Sequence, residues 1–280
     1  MILHKNKAKW VKQFKPNIIK GEILHNPAGV GDRYSTELKK LVGKMRGITE
    51  KKISSLYKTS TAKEHFTGDA SISSQARILT NALTKQFDDL FSISAKPLSE
   101  AMVEQADKSS QVALKTSVKK INGNLNIDTT KNTKELHDIK KSIVAENVAL
   151  IKSIAKDYMH RVTTEVLRSI TTGKGLQDLY PKIKEFGDMT DRRAHNIATD
   201  QTRKAYNHIN AKRAKGAGIE AFEWVHSGGG LHPREEHIAM DGQIFQYDDL
   251  PVIDENTGET GLPGQAINCR CTQRPVVVFE

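Results

Sequence analysis

The longest uninterrupted pattern in this chain runs from Asn132 to Thr172 and reads NTKELHDIKKSIVAENVALIKSIAKDYMHRVTTEVLRSITT. Apolar residues recur in it at spacings of three and four, which places them on one face of an α-helix. They are Leu136, Ile139, Ile143, Val144, Leu150, Ile154, Met159, Val162, Val166 and Ile170. Gly173 and Gly175 follow, and glycine commonly ends helices. The stretch therefore predicts one long amphipathic helix.

The same spacing continues outside that helix, so residues 34–186 are predicted to form a helical body. The apolar positions that carry the pattern upstream are Leu38, Leu41, Val42, Met45, Ile78, Leu79, Leu83, Phe87, Leu90 and Phe91. Pro97 predicts the start of a further helix that runs to about Ile121. Glycines and prolines between 21 and 31 are expected to prevent regular structure before Tyr34.

Composition and charge narrow the class of protein. The chain has 280 residues, 37% of them hydrophobic, and a mean hydropathy of −0.52. It shows neither the roughly 20 consecutive apolar residues of a membrane span nor the apolar run of a secretory signal, so we expect synthesis in a cytoplasm. Residues 217–280 hold three arginines against eleven acids, a net charge of −8. Because the whole chain carries +10, residues 1–216 carry +18. This asymmetry suggests a basic body that meets a polyanion or an acidic protein, although a solvated lysine-rich surface explains it equally well.

Residues 1–33 are predicted to form an extended basic arm. Its first twenty residues contain no acid, and they interleave Trp10 and Phe14 with Lys5, Lys7, Lys9, Lys12 and Lys15. Such an arm can contact nucleic acid through phosphates and stacking, or it can dock its aromatic side chains into a neighbouring subunit. We favour docking by Trp10 and Phe14, and we keep the lysines as candidate nucleic-acid contacts.

The last part of the chain, residues 187–280, predicts a separate module. Thr190 is expected to cap a helix over 190–216, after a short helix near 176–186.

The rest of this module, residues 219–280, predicts a small α+β unit. Residues 219–225 and 275–279 are β-branched and aromatic enough to form strands that pair or extend the same sheet. The predicted fold class is therefore α+β, with a mainly helical N-terminal body and a small C-terminal module that contains a short antiparallel sheet.

Side chains that can carry chemistry concentrate in this unit: His226, His232, Arg234, His237, Asp241, Cys269 and Cys271. Thiolates and imidazoles are ligands that zinc favours, so Cys269, Cys271 and His237 can bind it together with His232 or Asp241. The Cys-x-Cys pair and the wide spread of the histidines are, however, irregular for a zinc motif. We therefore expect no cofactor and a metal-free, hydrogen-bonded knot in which His237 and Arg234 tie loops to a strand, with zinc as the alternative.

The sequence contains none of the common catalytic motifs that would indicate an enzyme class. The glycines at 228–230 are not followed by Lys-Ser or Lys-Thr, so they do not form a phosphate-binding loop. Nucleophile-elbow, kinase and dinucleotide patterns do not occur in the sequence either. We expect no catalytic residues and a protein that is not an enzyme.

The order of several features is more specific than any one of them. The chain carries Trp224, Arg234-x-x-His237, Asp241-Gly242 and Asn268-Cys269-Arg270-Cys271 in succession. This order resembles the phage Mu F-like minor head proteins, also called phage head morphogenesis proteins, over about the last 110 to 130 residues. The resemblance assigns a structural motif to Trp224, Arg234, His237, Gly242, Cys269, Arg270 and Cys271.

What the resemblance implies is a minor structural component of a tailed-phage head that acts in capsid assembly at or near the portal. The implied partners are the portal protein and inner capsid proteins in a multi-subunit assembly, and packaged double-stranded DNA. The implied location is the head interior or portal vertex of the virion. An alternative from another class is a metal-dependent nuclease in which His237 and the cysteines hold a metal while His226 or Asp241 activates water.

Overall fold

The computed structural model describes residues 18–61, 70–121, 128–173, 175–229 and 233–278. The helices are α1 (Ala28–Thr61), α2 (Ala70–Ile121), α3 (Lys134–Thr171), α4 (Leu176–Gly216) and α5 (Glu235–Ala239). The strands are β1 (Ile18–Lys20), β2 (Ala221–Val225), β3 (Ile244–Gln246), β4 (Val252–Asp254), β5 (Glu259–Thr260) and β6 (Thr272–Val278). The predicted fold class, a helical body followed by a small α+β module, is confirmed. No helix in the described ranges combines the length and the apolarity that crossing a membrane requires.

Helix α3 follows the pattern that predicted it. It buries Leu136, Ile143, Ile154, Val162 and Val166 on one face. Gly173 ends it in the left-handed region, with φ of 65°, and donates its N–H to the carbonyl oxygen of Ile170 at 3.2 Å. Glycine adopts this conformation without a steric penalty, which is why the helix ends there.

Helix α1 starts earlier than predicted, at Ala28. Pro27 precedes the helix and accepts the N–H of Val30 at 3.0 Å. Val30 and Tyr34 lie one helical turn apart and are both 4% exposed. Burial of these side chains offsets the roughly 1 kcal/mol that each helical glycine costs. The expectation of no regular structure before Tyr34 is therefore wrong for residues 28–33.

Helix α2 contains Pro97, so the prediction that a helix starts there is also wrong. Proline lacks an N–H and displaces the carbonyl of the residue four positions earlier, which here is Ile93. Ile93 is 76% exposed, so water can satisfy that carbonyl. Ala95 and Ser99 stay buried, and the Ser99 hydroxyl donates to the carbonyl oxygen of Ala95 at 2.8 Å. The buried face of the helix thus continues past the proline.

Helix α4 is continuous where two helices were predicted. The hydroxyl of Thr190 does not cap a helix but donates to the carbonyl oxygen one turn earlier, at 2.7 Å. A methyl group at Gly187 would overlap the side chain of Arg46, which lies across this glycine. Arg46 also pairs with Asp188 at 3.0 Å and with Asp191. The Arg46 side chain from α1 therefore stabilises the helix at the point where the sequence predicts a break.

The sheet is antiparallel in the order β1-β6-β2-β3. Its central pair, β2 and β6, aligns Phe222 with Pro275 and Trp224 with Gln273. These strands cover the two stretches that the sequence predicts to be extended. The edge strand β1, from the segment predicted as an arm, pairs Ile18 with Val278. A separate two-stranded ladder joins β4 and β5.

The described residues form two compact units, and the first combines parts of 1–31, 102–143 and 200–280. Its buried core includes Leu24, Leu114, Tyr206, Phe222, Trp224, Ile253, Cys269 and Cys271. Phe222 stacks on Tyr247 with ring centroids 4.9 Å apart. Trp224, Cys269 and Cys271, three of the candidate site residues, belong to this core.

The second unit combines parts of 32–101 and 144–199. Its buried residues include Tyr34, Leu38, Met45, Ile53, Phe87, Phe91, Ile151 and Tyr158. The hydroxyl of Tyr34 donates to the side-chain oxygen of Asn147 at 3.0 Å. This hydrogen bond satisfies both polar groups inside the apolar core.

Candidate functional site

Two segments of the first unit bring the chemistry-bearing residues together. His237 lies in α5, and Cys269 and Cys271 lie in the turn that leads into β6. The imidazole Nδ1 of His237 is 3.4 Å from the sulfur of Cys269 and 3.8 Å from that of Cys271. All three side chains are buried, with exposed fractions of 2 to 4%. The structure therefore closes a gap of more than thirty residues between the histidine and the cysteines.

The other imidazole nitrogen fixes the orientation of this ring. Nε2 of His237 lies 3.0 Å from the carbonyl oxygen of Ile253 in β4. Because a carbonyl oxygen only accepts, Nε2 carries a proton. Nδ1 is thereby left facing the two sulfurs.

Trp224 forms one wall of the cluster. Its indole meets the imidazole of His237 edge to face, with ring centroids 5.2 Å apart, and it is fully buried. The indole nitrogen has no hydrogen-bond partner among the described residues. A buried N–H without a partner is costly, so this group is available to an acceptor placed beside it.

The two thiols have opposite electrostatic preferences. Hydrogen bonds from Cys271 and His237 lower the pKa of Cys269, against the opposing effect of burial. The hydrogen bond with Cys269, burial and the Cys269 charge raise the pKa of Cys271. Burial lowers the pKa of His237, but the hydrogen bond and charge of Cys269 outweigh it, so the net shift is upward. The cluster thus concentrates negative charge on sulfur beside an imidazole, an arrangement that suits a proton or a cation.

Arg234 and Gly242 hold the peptide segments around the cluster. The carbonyl of Arg234 accepts the N–H of His237 at 3.1 Å, and its guanidinium donates to the carbonyl oxygen of Ile267 at 3.2 Å. Gly242 has φ of 74° and donates its N–H to the carbonyl oxygen of Trp224 at 2.9 Å. A side chain at that φ would be strained, which explains glycine in this turn.

Arg270 is exposed, whereas the cysteines on either side of it are buried. Its backbone carbonyl accepts the side-chain amide of Asn26 at 3.3 Å. Burial lowers the pKa of Arg203, and the charge of Arg270 lowers it further, so the two guanidinium groups lie close together. Arg270 therefore adds positive charge beside the cysteine turn.

The remaining candidate residues lie apart from the cluster. Among the described residues, the group with metal-ligand geometry consists of His237, Cys269 and Cys271. The carboxylate of Asp241 is exposed and accepts the backbone N–H of His226 at 2.8 Å. His232, Trp10, Phe14, Lys5, Lys7, Lys9, Lys12 and Lys15 lie outside the described residues.

Sequence reasoning missed two groups that position the cluster. The first is the Ile253 carbonyl, which as a backbone atom leaves no signal in residue type. The second is Asp200, whose carboxylate accepts the N–H of Asn268 at 2.7 Å and so anchors the turn before Cys269. Its only sequence signal is that it is an acid within the strongly basic stretch 192–215.

Comparison with known proteins agrees with this arrangement of motif residues. Residues 160–274 match the family model described as Phage Mu protein F like protein. The match runs from within α3 into β6 and includes every residue of the motif. This C-terminal part of the chain is therefore similar to the phage Mu F-like family, and the sequence resemblance is confirmed over these residues.

A protein of Haemophilus influenzae, described as an uncharacterized protein, is 30% identical over 205 residues. The aligned region is 72% of this chain and 44% of that protein, so the chain spans less than half the length of this relative. No solved structure matches the chain.

Proposed function

We propose that this chain is a minor head protein of a tailed phage that acts in head morphogenesis at or near the portal. The observation that carries the proposal is the family match over residues 160–274, which includes the complete Trp, Arg, His, Gly and Cys-Arg-Cys motif. The portal protein and inner capsid proteins are its partners in this proposal, within a multi-subunit assembly in the virion.

The charge distribution supports two different kinds of contact. Residues 1–216 carry +18, and helix α1 alone exposes Lys39, Lys44, Lys51 and Lys52. Lysines on an exposed helix face favour a polyanion, so the helical body is the part proposed to contact packaged DNA.

The C-terminal module suits a protein partner better. It carries −8 over residues 217–280, and its exposed acids include Glu235, Asp241, Asp248, Asp249, Glu255 and Glu259. Such a surface repels nucleic acid, and electrostatic complementarity gives it a basic protein surface as a partner.

The test is incorporation into heads, measured by quantitative mass spectrometry of purified particles from a host that produces them. The protein is expected in few copies per particle, and heads made without its gene are expected to be non-infectious. Full infectivity without the gene, or absence of the protein from particles, would overturn the proposal.

Two further variants, measured in the same way, distinguish the two proposed roles of the N-terminal arm. Trp10→Ala with Phe14→Ala removes the aromatic anchors, and Lys→Gln at positions 5, 7, 9, 12 and 15 removes the charge. If the arm docks on a protein, the first variant is lost from heads and the second is retained. The opposite result assigns the arm to nucleic acid. A variant that lacks the arm altogether should be deleted only up to residue 17, because Ile18–Lys20 form β1 of the sheet.

A further inference from the structure

We propose that His237, Cys269 and Cys271 bind one zinc ion, which joins α5 to the turn before β6. This inference reverses the expectation of a metal-free knot that the irregular ligand spacing suggested. It goes beyond the role in head assembly and does not depend on it.

The distances between the three ligand atoms fit a tetrahedral site. Zinc binds thiolate at about 2.3 Å and imidazole at about 2.0 to 2.1 Å, so tetrahedral angles separate nitrogen from sulfur by roughly 3.5 Å. The two observed separations are 3.4 and 3.8 Å, and all three ligand atoms lie within 4.8 Å of one another. Little movement of the protein is needed to bind the ion.

The surroundings of the ligands match those of protein zinc sites. A metal-binding histidine usually donates its other ring N–H to a carbonyl or carboxylate, which fixes the ring. His237 does so through Nε2 to the carbonyl oxygen of Ile253 at 3.0 Å.

A buried N–H donor also lies beside the ligands. The fully buried indole of Trp224 meets the imidazole of His237 with ring centroids 5.2 Å apart. Its indole nitrogen has no hydrogen-bond partner among the described residues. N–H donors of this kind stabilise a metal-bound thiolate.

The location gives the ion a structural role. The ligands and the Ile253 carbonyl come from α5, β4 and the turn before β6, which are separate segments of the first unit. Metal binding at such a site adds directly to the folding free energy. Three protein ligands leave a fourth position for water or for a donor from a partner.

The experiment uses the full chain, purified without a histidine tag under reducing conditions. Elemental analysis is expected to find close to one zinc per chain. Removal of zinc with a chelator should lower the melting temperature, and one equivalent of zinc should restore it. With cobalt in place of zinc, the protein should show thiolate-to-cobalt charge-transfer absorption.

Variants assign the ligands. His237→Ala, Cys269→Ser and Cys271→Ser should each lose stoichiometric zinc, whereas His160→Ala, an exposed histidine on α3, should retain it. Trp224→Phe keeps a buried ring without the indole N–H and should bind zinc about tenfold more weakly.

Thiol reactivity keeps the test decisive where a variant fails to fold. In the wild-type chain, bound zinc should protect both cysteines from a thiol reagent until chelator is added. If the reduced wild-type chain takes up no zinc on reconstitution, and its thiols react equally with and without zinc, the proposal is wrong and the cluster is a metal-free hydrogen-bonded knot.

Discussion

Gln273 and Asn207 are joined by two hydrogen bonds from one side-chain amide. Nε2 of Gln273 donates to the backbone carbonyl oxygen of Asn207 at 2.9 Å and to its side-chain oxygen at 3.1 Å. Asn207 in turn donates to the side-chain oxygen of Asn26 at 3.1 Å. The hydroxyl of Tyr247 donates to Gln273 at 2.7 Å. This buried polar network fastens β6 and residues around Asn26 to helix α4.

Asn207→Ala is expected to lower the free energy of unfolding by about 2 to 3 kcal/mol. The reason is that the substitution removes the acceptor of one Gln273 hydrogen bond and the donor to Asn26 in a buried site, where unpaired groups are costly. Urea denaturation followed by circular dichroism measures the change. Asn196→Ala, an exposed position on the same helix, is the control and should change stability by less than about 0.5 kcal/mol. Equal effects of the two substitutions would show that the network does not stabilise the fold.

Arg213 makes a second buried polar connection in the same unit. Its guanidinium donates to the carbonyl oxygen of Thr129 at 2.7 Å and to Ser110 at 3.3 Å, and it pairs with Asp107. Only 4% of its side chain is exposed.

Arg213→Met is expected to destabilise the chain by about 3 kcal/mol, because it removes the buried donor to the Thr129 carbonyl and leaves Asp107 with Lys140 as its remaining cationic partner. The stability of Arg213→Lys should fall between those of the wild-type chain and Arg213→Met, since a lysine ammonium cannot reproduce the planar set of hydrogen bonds made by the guanidinium. Thermal melts compare both with Arg192→Met, an exposed residue of α4. A melting temperature of Arg213→Met equal to that of this control would contradict the expected role.

Two buried tyrosines in the second unit form a matched pair. The hydroxyl of Tyr158 has no hydrogen-bond partner among the described residues, whereas that of Tyr57 donates to Ser169 at 2.8 Å. Tyr158→Phe is therefore expected to leave stability unchanged or to raise it by up to about 1 kcal/mol, and Tyr57→Phe to lower it by about 1 kcal/mol. Denaturant midpoints of both variants test the difference. Destabilisation by Tyr158→Phe as large as that by Tyr57→Phe would mean that its hydroxyl has a partner in solution.

Tyr158 also predicts a loss of stability in alkali. Burial raises the pKa of Tyr158 from 10.0 to about 12. A group whose proton is held more tightly in the folded state contributes stability that is complete below the unfolded pKa and is lost as pH rises towards the folded one. Because the unfolded tyrosine ionises first, the free energy of unfolding should fall as pH rises from 10 to about 12. Unfolding curves at a series of pH values should show a shallower alkaline decline for Tyr158→Phe than for the wild-type chain. Parallel declines would contradict this assignment.

The regular parts of the fold could be predicted from the sequence because they depend on local spacing. The apolar stripe of residues 132–172 gave α3 to within two residues at each end. Strand residues flanking a loop-rich segment gave the β2 and β6 pair.

The errors arise where distant side chains override local signals. Gly187 and Thr190 suggest a helix break, but Arg46, more than 140 residues away in sequence, packs over this point and pairs with Asp191. Pro97 is tolerated because Ile93 faces solvent.

The metal-ligand cluster shows the same limit. Each ligand could be named from its residue type, but their proximity depends on the register of β6 and the placement of α5. The spacing of 32 residues between His237 and Cys269 carries no local signal for this contact.

The backbone conformation of Asn268 sets the direction of the turn that carries Cys269 and Cys271. It has φ of 60°, in the left-handed region that asparagine enters more easily than other residues with a side chain. Its N–H is held by the carboxylate of Asp200 at 2.7 Å, immediately before Cys269. Asn268→Ala should therefore destabilise the chain by about 1 kcal/mol, while Asn268→Gly, which adopts this φ freely, should cost less. Chemical denaturation of the two variants, with Asn256→Ala in an exposed turn as control, measures the difference. If alanine is tolerated as well as glycine, the positive φ does not constrain this turn.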